Sequence, residues 1–232
     1  MPSICIFGDS VSKGVVFDAA RRKYQSLKDS FANLFCSTTS VPVTNYSKFG
    51  CTISKGQELI RRHAEELCGY DCVILEFGGN DCDFNWAEIS ADPDGVHLPK
   101  TPLEEFEQRY INIFEEIRKK GGRPVLLSLP PIEPVRYFHW ISQGLNADNI
   151  LRWLGDVHRI YRYHELYNMT VCRLALKEQV PMVDIRSAFL LDRNYSALLC
   201  EDGIHPNQKG HDLIYHTIHS DYATRLRPLL ER

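Results

Sequence analysis

Short apolar runs punctuate the chain at residues 3–7, 41–46, 72–77, 125–129 and 180–185. Ile, Val and Leu dominate all but 41–46, which is a weaker run, and they show little polar alternation. Runs of this kind predict strands buried on both faces. Helical periods lie between them. Leu59, Ile60, His63, Ala64 and Leu67 recur at spacings of three and four, as do Phe106, Tyr110, Ile113, Phe114 and Ile117. The second helix carries boundary signals. Thr101 is placed to cap it, Pro102 suits its first turn, and Glu104 completes a Thr-x-x-Glu capping box. Lys119-Lys120-Gly121-Gly122 closes it with cations and a glycine stop. A long helical stretch is expected over 148–177. A last helix is expected after Pro206-Asn207, carrying Leu213, Ile214, Ile218, Tyr222 and Leu226. Strands alternating with helices predict an α/β fold whose parallel sheet is covered on both faces.

Two stretches break the alternation, 83–100 and 130–149. Each follows a strand, at the end where open α/β sheets bind ligands. Long loops are uncommon unless they serve a function, so these read as walls of a cleft; ordinary surface loops are the competing reading. No repeat, linker or change of composition divides the 232 residues, so a single domain spanning 1–232 is expected.

Composition narrows the class. Lys plus Arg number 27 and Asp plus Glu 30, a net charge of −3 with no basic run, which leaves no footprint for nucleic acid. No apolar run approaches the roughly 20 residues of a membrane span. Met1-Pro2 leads directly into the first strand, without the pattern of a secretory leader. The eight cysteines therefore read as free thiols in a reducing cytoplasm. Cys68-x-x-x-Cys72 lacks a second pair, so no metal site is expected. Nothing in the chain specifies an oligomeric state.

Four polar clusters sit where strands end or helices begin. Ser10 lies in Gly8-Asp9-Ser10-Val11-Ser12-Lys13-Gly14, as a nucleophile that needs a base or as a helix cap. His205, in Glu201-Asp202-Gly203-Ile204-His205-Pro206-Asn207, is the candidate base, with Asp202 close enough in one tight loop to fix its tautomer. Gly78-Gly79-Asn80-Asp81 places an amide donor at the end of a buried strand, or makes a plain turn. Gly50, after the second strand, offers a backbone N–H.

Taken together, in this order, the clusters resemble the SGNH hydrolases, the GDSL esterase/lipase family. The Gly-Asp-Ser signature matches Gly8-Asp9-Ser10, the lone glycine matches Gly50, Gly-x-Asn-Asp matches Gly78-Gly79-Asn80-Asp81, and Asp-x-x-His matches Asp202-Gly203-Ile204-His205. The resemblance runs from residue 7 to residue 207. It implies a flavodoxin-like three-layer α/β/α sandwich of about five parallel strands ordered 2-1-3-4-5. It implies Ser10 as nucleophile, His205 as base, Asp202 as orienting acid, and an oxyanion hole from the Ser10 and Gly50 N–H groups and the Asn80 amide. No cofactor is required. Asp9 is expected to bond the turn, and Asp81 to hold the loop carrying Asn80. Position 12 is Ser, so the Gly-x-Ser-x-Gly elbow of α/β hydrolases is absent. Gly8-Asp9-Ser10 also lacks the Asp-x-Asp of aspartyl phosphatases.

The cleft stretches supply Asp83, Trp86, His97, Tyr137 and Trp140, a polar-aromatic mixture that suits a sugar ring. A small or carbohydrate ester, as for a deacetylase, is the expected substrate. The alternatives are a lysophospholipase or thioesterase acting on acyl chains, or a catalytically silent ligand-binding module on the same fold. A phosphate-binding flavodoxin-like protein would leave Asp202 and His205 unexplained.

Overall fold

The computed structural model describes residues 3–226, with side chains through Thr224; Met1, Pro2 and the Leu226 side chain lie outside them. Strand β1 (Ile4–Gly8) is fully buried and has parallel neighbours on both sides. A two-stranded antiparallel hairpin follows, β2 (Val15–Asp18) and β3 (Lys23–Ser26). The remaining sheet strands are β4 (Val43–Asn45), β5 (Cys72–Glu76), β6 (Pro124–Leu127) and β7 (Met182–Val183). Their spatial order β4-β1-β5-β6-β7 is the expected 2-1-3-4-5.

Side chains alternate across the pleat and feed two cores. Cys5, Phe7, Val73, Leu75 and Leu126 point to one face. There they meet α3 (Ile53–Arg62), α5 (Leu103–Lys119) and α8 (Arg159–Lys177) through Ile60, Tyr110, Phe114, Tyr167 and Val171. Ile4, Ile6, Ile74, Val125 and Leu127 point to the other. They meet α2 (Phe31–Thr39), α9 (Ile185–Leu191) and α10 (Gln208–Asp221) through Phe31, Phe35, Phe189, Ile214 and Ile218. A third cluster, including Phe84, Trp86, Ile132, Phe138, Leu154 and Ile160, sits beyond the carboxyl ends of the strands.

Several expectations need correction. Thr101 does not cap α5: Pro102 is the cap residue, and the Thr101 hydroxyl donates to Asp81 Oδ1 at 2.6 Å. A buried carboxylate is a stronger acceptor than a neutral group. The helix expected around residues 59–67 starts earlier, at Ile53, and gives way to a 3₁₀ turn, Ala64–Gly69. The 148–177 stretch is two helices, α7 (Ala147–Leu154) and α8, separated after Gly155 adopts φ +78°. Both cleft stretches contain short helices, α4 (Trp86–Ala91) and α6 (Pro134–Ile141), of about two turns each, too brief for an apolar stripe to repeat along them. Among the described residues no helix is long and apolar enough to cross a membrane.

Candidate active site

Strand β1 ends at Gly8, and the chain turns at once into the one-turn helix α1 (Ser10–Lys13). The cap of this helix is Asp9, whose Oδ1 accepts the Val11 N–H at 2.8 Å. Ser10 is therefore free of capping duty. Its Oγ lies 2.9 Å from His205 Nε2. His205 Nδ1 lies 2.6 Å from Asp202 Oδ2. The other oxygen of Asp202 accepts the backbone N–H groups of Ile204 and His205, each at 3.1 Å. Burial pushes the Asp202 carboxyl upward, but the hydrogen bond and positive field of His205 and the two backbone donors hold it below the usual carboxylate range. Ser10, His205 and Asp202 form one continuous chain, with the imidazole tautomer set by the acid.

The loop that carries the acid and the imidazole is wedged in place. Gly203 has φ +76°, and a Cβ there would stand 2.7 Å from the Glu133 carbonyl and 2.8 Å from the Tyr137 nitrogen. The Glu133 N–H in turn donates to the Gly203 carbonyl at 2.8 Å. On the outer side two aromatic rings flank His205: Tyr24 of β3, with centroids 5.1 Å apart, and Phe49, stacked at 6.1 Å and 55% exposed. Burial and the Asp202 carboxylate hold the Tyr24 phenol well above its ordinary range, so it keeps its proton.

Asn80 faces the same space. Its Nδ2 donates to Asp9 Oδ2 at 2.9 Å, which fixes the amide plane and leaves a second N–H. Gly50 lines the cavity with φ +66°. Among the described residues no protein acceptor takes the Ser10 or Gly50 N–H. Asp81 accepts the Ile53 N–H at 2.9 Å and the Thr101 hydroxyl, which ties the Asn80 loop to the start of α3 just beyond Gly50. Burial pushes Asp81 up to about 7, against these two hydrogen bonds.

One residue of the site escapes the sequence reading. Glu76 ends β5, is 1% exposed and lies against Asp9. Its Oε2 accepts the Ser12 hydroxyl at 2.9 Å and is 3.5 Å from the Asp9 nitrogen. Burial and then the Asp9 charge push Glu76 well above the carboxylate range. Burial pushes Asp9 upward too, against the Val11 and Asn80 donors and the positive field of His205; Glu76, pushed further, holds the proton of the pair. The one sequence signal was an acid inside an otherwise apolar strand, since Glu is rarely buried unless partnered.

A cavity of about 150 Å³ opens from Ser10, Asn80 and His205 into the third cluster. Phe84, Trp86, Leu129, Ile132, Leu154 and Ile160 line it. The residues expected to meet a sugar are arranged otherwise. Asp83 Oδ1 accepts the Trp86 indole N–H and the Tyr137 hydroxyl, each at 2.8 Å, and its Oδ2 accepts Lys100 Nζ at 2.7 Å. These three line the cavity with their polar atoms bonded to protein. Trp140 packs edge-on against Phe17 at 4.6 Å, outside the wall, and His97 bonds the Asp92 carbonyl at 2.7 Å.

A parallel sheet that brings a serine, a histidine and an acid to its carboxyl edge is the frame of a hydrolase. The chain belongs to the GDSL-like lipase/acylhydrolase family, whose model matches residues 6–213, and is an ester-hydrolysing enzyme of that class. Among solved structures it is similar to a lipase/acylhydrolase of Enterococcus faecalis, with TM-score 0.69, 17% identity and 97% of each chain covered. It is also similar to a member of the lipolytic G-D-S-L family from Veillonella parvula, with TM-score 0.64, 15% identity, and 97% of this chain and 100% of that one covered. A psychrotrophic esterase of a Pseudoalteromonas species, in a structure inhibited by monoethylphosphonate, gives TM-score 0.64 at 15% identity over 98% and 100% of the two chains. No curated protein sequence matches the chain.

Proposed function

We propose that the protein is a serine esterase for esters of short to medium acyl chains, with Ser10 as nucleophile, His205 as general base and acid, and Asp202 as orienting acid. The observation that carries this reading is the chain of contacts at 2.9 and 2.6 Å from Ser10 through His205 to Asp202. The Ser10 hydroxyl proton passes to His205 Nε2 as Oγ bonds to the ester carbonyl carbon. The carbonyl oxygen, now an anion, is met by the Ser10 and Gly50 N–H groups and the free N–H of Asn80. The intermediate collapses, the carbon–oxygen bond to the alcohol breaks, and His205 returns its proton to that oxygen. Water, deprotonated by His205, then cleaves the acyl-enzyme by the same route.

The cavity favours an alkyl-like acyl group over a sugar ring. Its wall is largely apolar, and the polar atoms of Asp83, Trp86 and Tyr137 are already engaged with one another and with Lys100. An apolar cavity of this size takes a benzene-sized solute, or about six carbons. Tyr24 and Phe49, whose rings touch at 5.2 Å between centroids, line the cavity on the His205 side.

The test is a series of p-nitrophenyl esters from acetate to decanoate. Turnover should rise to about six acyl carbons and fall beyond, and Ser10→Ala should lower it by about 10⁴-fold or more with an unchanged melting temperature. A fluorophosphonate should add one covalent mass at Ser10. Undiminished turnover in Ser10→Ala would overturn the assignment.

A further inference from the structure

Besides the catalytic groups, the polar side chains lining the acyl cavity are carboxyls, tyrosine hydroxyls and an indole, with one further imidazole. That imidazole is His164 on α8, 3% exposed and part of the wall. Its Nδ1 lies 3.4 Å from Nη1 of Arg186, a guanidinium that is itself buried. Arg186 is held from several sides. Nη1 donates to the Leu129 carbonyl at 3.1 Å, Nη2 is 2.5 Å from Glu165 Oε2, and the Tyr161 ring lies 5.1 Å from the guanidinium carbon.

A guanidinium only donates. Nδ1 must therefore accept, and the imidazole hydrogen sits on Nε2. Burial and the Arg186 charge keep the ring neutral, with its pKa held down to about 3. The Arg186 contact is the ring's one hydrogen bond among the described residues, so Nε2–H has no protein acceptor. Unlike Arg186 Nε and Nη2, which are sealed in without an aligned hydrogen-bond partner, Nε2 keeps accessible surface. With Nδ1 turned to Arg186, the Nε2 edge is the one left to face the cavity.

Building on the proposed esterase reading, we infer that His164 is a recognition residue for the substrate's acyl group, donating Nε2–H to a neutral oxygen along that chain: a hydroxyl, a ketone or an ether. A carboxylate fits less well, because Arg186 is already paired with Glu165 and offers no uncompensated charge. The enzyme would thus prefer oxygenated acyl esters to plain alkanoates of the same length. A site built around a hydrogen bond discriminates against ligands that lack it, since the buried group is then left unpaired.

The experiment compares p-nitrophenyl hexanoate with isosteric esters in which the third, fourth or fifth acyl carbon is replaced by an ether oxygen or made a ketone. For the wild type, kcat/KM should be roughly tenfold higher for at least one oxygenated ester than for hexanoate, the effect of one neutral hydrogen bond. His164→Met should erase that preference, and His164→Gln, which keeps a neutral donor, should retain part of it. Hexanoate turned over as fast as every oxygenated ester by the wild type would overturn the inference, as would a preference that survives in His164→Met. The wild-type series needs no variant, so the test stands even if His164→Met does not fold. Failure of the esterase reading looks different: no ester, acetate included, is turned over and Ser10 is not labelled.

Discussion

Glu76 sits in the least hospitable place for a carboxyl, at the end of a fully buried strand and against a second acid. The fold tolerates it by keeping it protonated, so that Asp9 alone is charged and can grip the Asn80 amide. Glu76→Gln preserves size and a neutral donor, and is expected to keep kcat/KM within a few-fold of wild type. Glu76→Ala leaves Asp9 less well held and is expected to lose activity and stability together. The pH dependence follows from the raised pKa. The stability that Glu76 contributes is whole below its ordinary value of 4.5 and declines as pH rises from there toward its folded value. Melting temperatures from pH 4.5 to 8 should therefore fall more in the wild type than in Glu76→Gln. Asn80→Ala removes the proposed oxyanion donor and should cost about 10²–10³-fold in kcat, with a fall in melting temperature because the buried Asp9 loses a donor.

At the scale of elements, the Asp202–His205 loop is fixed by its fit against the start of α6. Gly203→Ala introduces a methyl group within 2.8 Å of backbone atoms, at a left-handed φ. Overpacking costs about 1–3 kcal/mol and the left-handed backbone about 1–2 kcal/mol. The melting temperature should drop by roughly 5–15 °C, with a loss of turnover as the imidazole moves off Ser10. Which elements were legible in the chain follows from how each is stabilised. Strands β1, β5 and β6 are buried on both faces, and their unbroken apolar runs announced them. The hairpin β2–β3 was not visible, because three of the four residues of Lys23-Tyr24-Gln25-Ser26 are polar and the run carries no strand signal. The same blindness hid the ring of Tyr24 beside His205. The capping box of α5 was a sound local pattern overruled by a carboxylate 20 residues away. The polar clusters themselves were legible, because each needs an unusual residue where a strand ends. Contacts that those residues make with one another, such as Asp83 with Trp86 and Tyr137, depend on the folded loops and leave no periodic trace.

Across the whole molecule, the sheet and its two helical layers act as a pedestal, and α4, α6, α7 and the first two turns of α8 enclose a chamber above it. Leu154 is on the chamber wall and buried. Leu154→Ala should cost about 2–5 kcal/mol of stability, as other large-to-small core changes do. It should also raise the octanoate-to-butyrate ratio of kcat/KM by up to about tenfold, since one methylene in an apolar pocket is worth that much. A chain-length profile of the variant beside the wild type checks both the chamber and its link to Ser10.

The hydroxyl and the imidazole that meet at 2.9 Å are 195 positions apart along the chain. During synthesis the first is made 195 residues before the second and waits for the layers between them to emerge. Closing so long a span is entropically unfavourable until the intervening layers have formed. Turnover therefore serves as a clock for the final stage of maturation: after dilution from denaturant, its recovery should lag behind far-ultraviolet dichroism, and no ribosome-stalled fragment lacking residue 205 should show any.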